Sequence, residues 1–219
     1  MGGTSYDPNM EKYPLLISYP RSGSNWLNCV LEVYFDRPRL RAGHPTFIKN
    51  FNKRKDYMWF HDHDIPSDLT ISHDNIMYLY RNPDDVIYSL LKAEHPKITD
   101  QLVNRQIRLL TNHYNKYLVG NIKPKVIIKY EALKDDNYQI EFSKIIKHLG
   151  GKDIDKDKLD AAIKMVVKDQ IVKKQIDKRY FNEKMLKKKY EIERKAFKKQ
   201  YGKRIENQLM NKYRKFFCD

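Results

Sequence analysis

Along the chain, short apolar runs rich in β-branched and aromatic residues alternate with longer segments whose apolar positions recur every three or four residues. The run LLISY (15–19) reads as a buried strand, and WLNCVLEVYF (26–35) has helical spacing. DYMWFHDH (56–63) reads as extended, and NIMYLY (75–80) as a further strand. PDDVIYSLLKA (83–93) opens a helix, with Pro83 and two aspartates in the first turn, where a fixed φ and negative charge are both favoured. QLVNRQIRLLTNHYNKYL (101–118) is helical, KVIIKY (125–130) is a strand, and NYQIEFSKIIKHLGG (137–151) is an amphipathic helix closed by glycines. Strands separated by helices predict an α/β fold, a single domain whose mainly parallel sheet is flanked by helices. The predicted α/β core covers residues 14–151. Residues 152–219 form a Lys-rich helical region expected to pack onto the sheet rather than to serve as a nucleic-acid arm.

Composition narrows this picture in two ways. A chain of 219 residues that is 41% hydrophobic is long enough for one sizeable core. The 43 Lys and Arg against 28 Asp and Glu give a net charge of +15, which favours an anionic partner without choosing among them. Cys29 and Cys218 cannot make a disulfide framework, and no cysteine or histidine cluster has zinc-ligand spacing. The first residues, MGGTSYDPNMEKYP, hold no apolar stretch fit for a signal peptide, and no uncharged run approaches the ~20 residues of a membrane span. A cytoplasmic location without a membrane span is the expectation.

The chemistry concentrates where the first strand ends, in SYPRSGSNW (18–26). A loop that leaves a parallel strand and enters a helix carries unpaired backbone N–H groups at the positive end of the helix dipole, where anions bind. Gly23 permits close backbone approach; Ser22, Ser24 and Asn25 can donate side-chain hydrogen bonds, and Arg21 supplies countercharge. The loop is a phosphate cradle, but not a Walker loop, since the glycine spacing and the following GK are absent. A second constellation lies in YLYRNPDDVIYSLL (78–91). Arg81 stands at the carboxyl end of a strand and Ser89 on the next helix, placed either to reach an anion above the sheet edge or, for Arg81, to pair with Asp84 or Asp85.

Together these segments resemble the sulfotransferases that use 3′-phosphoadenosine 5′-phosphosulfate (PAPS), a family with a P-loop-like fold. SYPRSGSNW is similar to their 5′-phosphosulfate loop, roughly TYPKSGTTW, and YRNPDDVIYSLL to their 3′-phosphate motif, roughly RNPKDVAVSYY, with the same interval from arginine to serine. IIKYEALKDDNYQIEFSKIIKHLG (127–150) resembles the family's YEDLK segment and the helix after it. The resemblance spans most of residues 15–150 and implies transfer of a sulfuryl group from PAPS to a hydroxyl or amine of a small-molecule acceptor, releasing 3′,5′-ADP without a metal. By position it implies that Arg21, Ser22, Gly23, Ser24 and Asn25 hold the 5′-phosphosulfate and that Trp26 stacks on adenine. Arg81 and Ser89 would take the 3′-phosphate, and Tyr130 would help bind adenine.

Such a transfer needs a base for the acceptor proton and positive charge for the departing phosphate. The family supplies a histidine in a segment like KTHLP; here WFHDHDIP (59–66) occupies that place, which makes His61 and His63 the candidates. Strand alternation puts the two on one face. His63, nearer to Ile65-Pro66, is favoured as base, and Asp62 or Asp64 could orient an imidazole or be solvated. Metal binding by HDHD is the lesser alternative. At the C-terminus the family's RKGxxGDWK-like segment has only FKKQYGKR (197–204) as counterpart, with Lys198, Lys199 and Gly202 as possible 3′-phosphate contacts and a plain helix end as the other reading. The remaining histidines, His44, His73 and His95 among them, match no motif and are assigned surface or loop roles. Trp59 either lines the acceptor pocket or belongs to the core. Two other classes stay open: a P-loop-like small-molecule kinase, which should carry GK[ST], and a non-catalytic binder of nucleotide or nucleic acid.

Overall fold

Four strands, β1 (Leu15–Ser18), β2 (Phe60–Asp62), β3 (Ile76–Tyr80) and β4 (Val126–Lys129), pair in the order β2–β1–β3–β4, and every pairing is parallel. The computed structural model describes residues 13–40, 56–65, 75–120, 122, 124, 126–168 and 183–217, the last segment with side chains from 188 onward. Both central strands are wholly buried, as near-continuous apolar runs in a parallel sheet should be. Their side chains alternate between two cores. Leu15 and Ile17 of β1, with Ile76, Tyr78 and Tyr80 of β3, face one side; Leu16, Met77 and Leu79 face the other.

The helices divide accordingly. On the Leu16 side lie α1 (Ser24–Phe35), α4 (Tyr138–His148) and α5 (Lys156–Lys168), buried through residues such as Leu27, Phe142 and Leu159. On the Ile17 side lie α2 (Pro83–Glu94), α3 (Asp100–Tyr114) and α6 (Glu183–Ile205), with the four-residue α7 (Arg214–Phe217) after it. The expected α/β fold, with a parallel sheet flanked by helices, is therefore the observed one. Among the described residues no helix is long and apolar enough to cross a membrane.

Three local differences have physical causes. The extended stretch 56–63 joins β1 only through residues 60–62; before that it bonds to residues 38–40, with Met58 donating to the Pro38 carbonyl and Leu40 to that of Trp59. The helix expected over 101–118 holds its α form to Tyr114 and widens into a π turn over Asn115–Val119, where Lys116 and Tyr117 both reach Asp64. Trp59 is fully buried and donates to Asn28 Oδ1 at 2.8 Å, so it belongs to the core.

The Lys-rich tail is part of the fold. Phe197, Tyr201 and Ile205 of α6, followed by Leu209 and Tyr213, recur at helical spacing and are buried against α2 and α3. Ile205→Ala is expected to lower unfolding stability by about 3 kcal/mol, the scale of a large aliphatic side chain lost from a packed core. Urea unfolding of the two proteins checks this; an unchanged midpoint would show that α6 is a peripheral arm.

Candidate functional site

The strand order splits at one point. β1 and β3 are neighbours, yet the helices that follow them, α1 and α2, lie on opposite faces of the sheet. Such a split opens a crevice at the carboxyl ends of the strands, where ligands of open α/β sheets bind. Nearly all the site residues expected from sequence are at this edge, because they follow β1, β2, β3 and β4 directly.

The loop after β1 is shaped by two left-handed residues. Arg21 has φ +71° and Gly23 has φ +96°, and Ser22 N–H closes a turn onto the Tyr19 carbonyl at 3.2 Å. A Cβ on Gly23 would run into the Tyr130 ring, so glycine is required there for space as well as for backbone angle. An arginine at positive φ is strained by roughly 1 kcal/mol or more, a condition that clusters at functional sites. Helix α1 starts at Ser24 with no side-chain cap, so its first-turn amides face the crevice without helix carbonyls to receive them. Ser22 and Ser24 are buried and Asn25 is exposed.

The two phosphate-type motifs meet directly. Arg21 Nε donates to Ser89 Oγ at 3.0 Å, and Arg81 donates through one terminal nitrogen to the Arg21 carbonyl at 3.3 Å. Ser89 is thus a partner of the loop arginine. Arg81 also lies 3.8 Å from the Asp85 carboxylate and stands over the Tyr130 ring at 4.7 Å. Its Nε is buried with no hydrogen-bond partner among the described residues, a donor left for an anion. Asn82 caps α2 by accepting from Asp84 N–H, while its own N–H donates to Glu131 Oε1, which ties the end of β3 to the turn after β4. Trp26 packs edge-on against Tyr130 and Phe142. Burial, outweighing the pull of Arg81, pushes the Tyr130 phenol above its ordinary range.

The histidines gather around Ser18. His61 is fully buried, with Nε2 3.3 Å from Ser18 Oγ; His63, just past the strand, is half-buried, and its Nδ1 lies 2.8 Å from the Ser18 carbonyl. The two rings are 4.8 Å apart. A carbonyl only accepts, so Nδ1 of His63 carries the proton of this contact. The group seen orienting this imidazole is therefore Ser18 O. Asp62 accepts the Asp64 N–H, and the buried Asp64, itself at φ +44°, takes Lys116 Nζ at 2.6 Å and the Tyr117 hydroxyl.

Sequence reading missed His113. It was grouped with histidines of surface or loop role, yet it is fully buried, receives the Tyr78 hydroxyl on Nδ1 at 2.8 Å and donates Nε2–H to the His63 carbonyl at 3.0 Å. The signal was present in the pattern, since Ile107, Leu110, His113, Tyr114 and Tyr117 form one stripe of the helix. His95 ends α2, and His44 and His73 lie outside the described residues.

The C-terminal trio is not assembled as a loop. Lys198, Lys199 and Gly202 all lie within α6: Lys198 Nζ is 3.7 Å from both Asp84 and Asp85, Lys199 is exposed, and Gly202 is part of the helix. Arg194 also pairs with Asp85, at 2.7 Å from Nε. The charge of Lys198 is thereby largely met within the protein. Among the described residues no group of three or more His, Cys, Asp or Glu is gathered to hold a metal. No family model matches the chain, and no curated protein matches it closely enough to count as a relative.

Burial depresses His113 from 6.5 to about 4. Between those values the unfolded chain takes up a proton that the folded protein refuses, so this residue's contribution to stability falls as pH drops from 6.5 to 4. A shift of that size corresponds to about 3 kcal/mol. The stability gap between wild type and His113→Gln should therefore narrow by that order between pH 7 and pH 4 in denaturant titrations; a constant gap would mean that His113 titrates normally.

Proposed function

We propose that this protein is a PAPS-dependent sulfotransferase of P-loop-like fold, transferring a sulfuryl group to a hydroxyl or amine of a small molecule. The observation that carries the reading is the meeting of the two motifs at the β1/β3 crevice, with Arg21 hydrogen-bonded to Ser89 and Arg81 to the Arg21 backbone. Residues far apart in sequence with side chains suited to binding phosphate come together there. The unpartnered Nε of Arg81, the Gly23 cradle and the open amides of α1 fit a ligand with anionic groups at two ends.

In this reading the donor supplies the sulfuryl group and leaves as 3′,5′-ADP. Loop residues 21–26 hold its 5′ end, Arg81 and Ser89 its 3′-phosphate, and the faces of Trp26 and Tyr130 its adenine. Arg21 is pre-positioned by Ser89 and by its own backbone strain to neutralise charge growing on the departing phosphate. His63 takes the acceptor proton on Nε2, because its Nδ1–H is held by the Ser18 carbonyl and the ring reaches solvent. His61 is a positioning residue here: it has no exposed surface from which to meet an acceptor. Positioning and charge supply most of the acceleration, as they do in phosphoryl transfer.

Thermal shifts should show stabilisation by 3′,5′-ADP in preference to ATP or an oligonucleotide. With sulfate-labelled donor and a panel of hydroxylated small molecules, His63→Ala is expected to lower turnover by about 10²–10⁴-fold, the usual share of a general base, while binding 3′,5′-ADP as wild type does. Undiminished turnover in that variant would remove His63 from the mechanism. Absence of any 3′,5′-ADP binding by the wild-type protein would remove the sulfotransferase reading itself.

A further inference from the structure

One cation of the crevice belongs to neither phosphate motif. Lys134 follows the short 3-10 turn Glu131–Leu133 after β4, and its ammonium sits 3.1 Å from the centre of the Trp26 ring and 5.8 Å from that of Tyr130. Arg81 stands over the same Tyr130 ring at 4.7 Å, so the phenol carries two cations at once. A lysine over a tryptophan face is attractive, but by about 1–2 kcal/mol only, much less than a charge-assisted bond to a phosphate dianion in the same place. Lys134 has no carboxylate within ion-pair distance among the described residues. The other cations nearby are differently placed: Arg194 and Lys198 share Asp84 and Asp85, and Asp85 is also near Arg81.

We propose that Lys134 is the second cation of the 3′-phosphate subsite: it rests on Trp26 in the free protein and turns onto the phosphate held by Arg81 when adenine takes the Trp26 face. The inference rests on the sulfotransferase reading above. It explains how the subsite gains charge although Lys198 is occupied by aspartates and Lys199 points to solvent from α6. The Trp26 face that the adenine needs is covered by a side chain for which a phosphate is the better partner.

The charge state of Lys134 supports the same role. Partial burial, with Arg81 adding to it, lowers its pKa to about 8. The titratable and charged groups near it are Arg81 at the end of β3 and Tyr130 after β4, with Glu131 and Asp135 close in the chain, and α1 presents the Trp26 ring. A bound phosphate favours the protonated lysine. Nucleotide binding should therefore take up a proton above pH 8, and affinity should decline as pH rises through that value.

Calorimetric titration with 3′,5′-ADP and with 5′-AMP, which lacks the 3′-phosphate, tests this on wild type and on Lys134→Met. The variant is expected to bind 3′,5′-ADP about tenfold more weakly, the cost of one modest charge-assisted contact, and to bind 5′-AMP as well as or better than wild type. Wild type at pH 9 should move toward the variant's preference. Unchanged 3′,5′-ADP affinity in the variant, or equal losses for both nucleotides, would overturn the inference while leaving the sulfotransferase reading intact. Wild type binding neither nucleotide would overturn both.

Discussion

The hydrogen bond from Arg21 to Ser89 depends on a feature of chain topology rather than on either motif alone. β1 sits between β2 and β3, and the helices leaving β1 and β3 go to opposite faces of the sheet. Only with that arrangement do a loop at residues 21–26 and a helix residue at 89 approach each other across a crevice. The rest of the site is built out from this junction. Arg81 is fastened to the loop backbone, Tyr130 lies beneath Arg81 and against Gly23, and Asn82 is tied to Glu131. This edge of the sheet costs the fold something, because Arg21 adopts a left-handed backbone angle that its side chain does not favour. Arg21 follows β1 at the crevice, and Asp64 follows β2, the next strand out.

The second layer of the site is a row of neutral hydrogen-bonding groups. Tyr78 donates to His113, His113 donates to the His63 carbonyl, and His63 donates to the Ser18 carbonyl. Each link fixes a tautomer or a ring plane, so the orientation of His63 is held from beneath the sheet edge. Asp64, one of the two carboxylates adjacent in sequence, is held by Lys116 and Tyr117, and this interaction anchors the π turn at the end of α3.

Much of this was legible in the residues. The strands and helices followed from two periodicities, apolar residues every second position or every third and fourth, and the α2 start followed from Pro83-Asp84-Asp85. The loop chemistry of residues 21–26 was legible because Gly23, Ser22 and Arg21 are adjacent in sequence. What was not legible depends on residues brought together by folding. Lys134 looked like part of a turn, and nothing in YEALK indicates that its ammonium covers Trp26, over a hundred residues away. His113 was on a readable buried stripe but was judged by motif rather than by periodicity. FKKQYGKR allows both a degenerate phosphate segment and a plain helix end, and the spacing of Phe197 and Tyr201 is that of a helix packed on α2 and α3.

A structure with 3′,5′-ADP bound tests the central claim most directly. The account predicts the 5′-phosphate on the amides of residues 22–26 with Arg21 beside it, and the 3′-phosphate on Arg81 and Ser89, one molecule spanning the β1/β3 crevice. Nucleotide bound at any other edge of the sheet, or a single phosphate on the loop with Arg81 and Ser89 untouched, would contradict it.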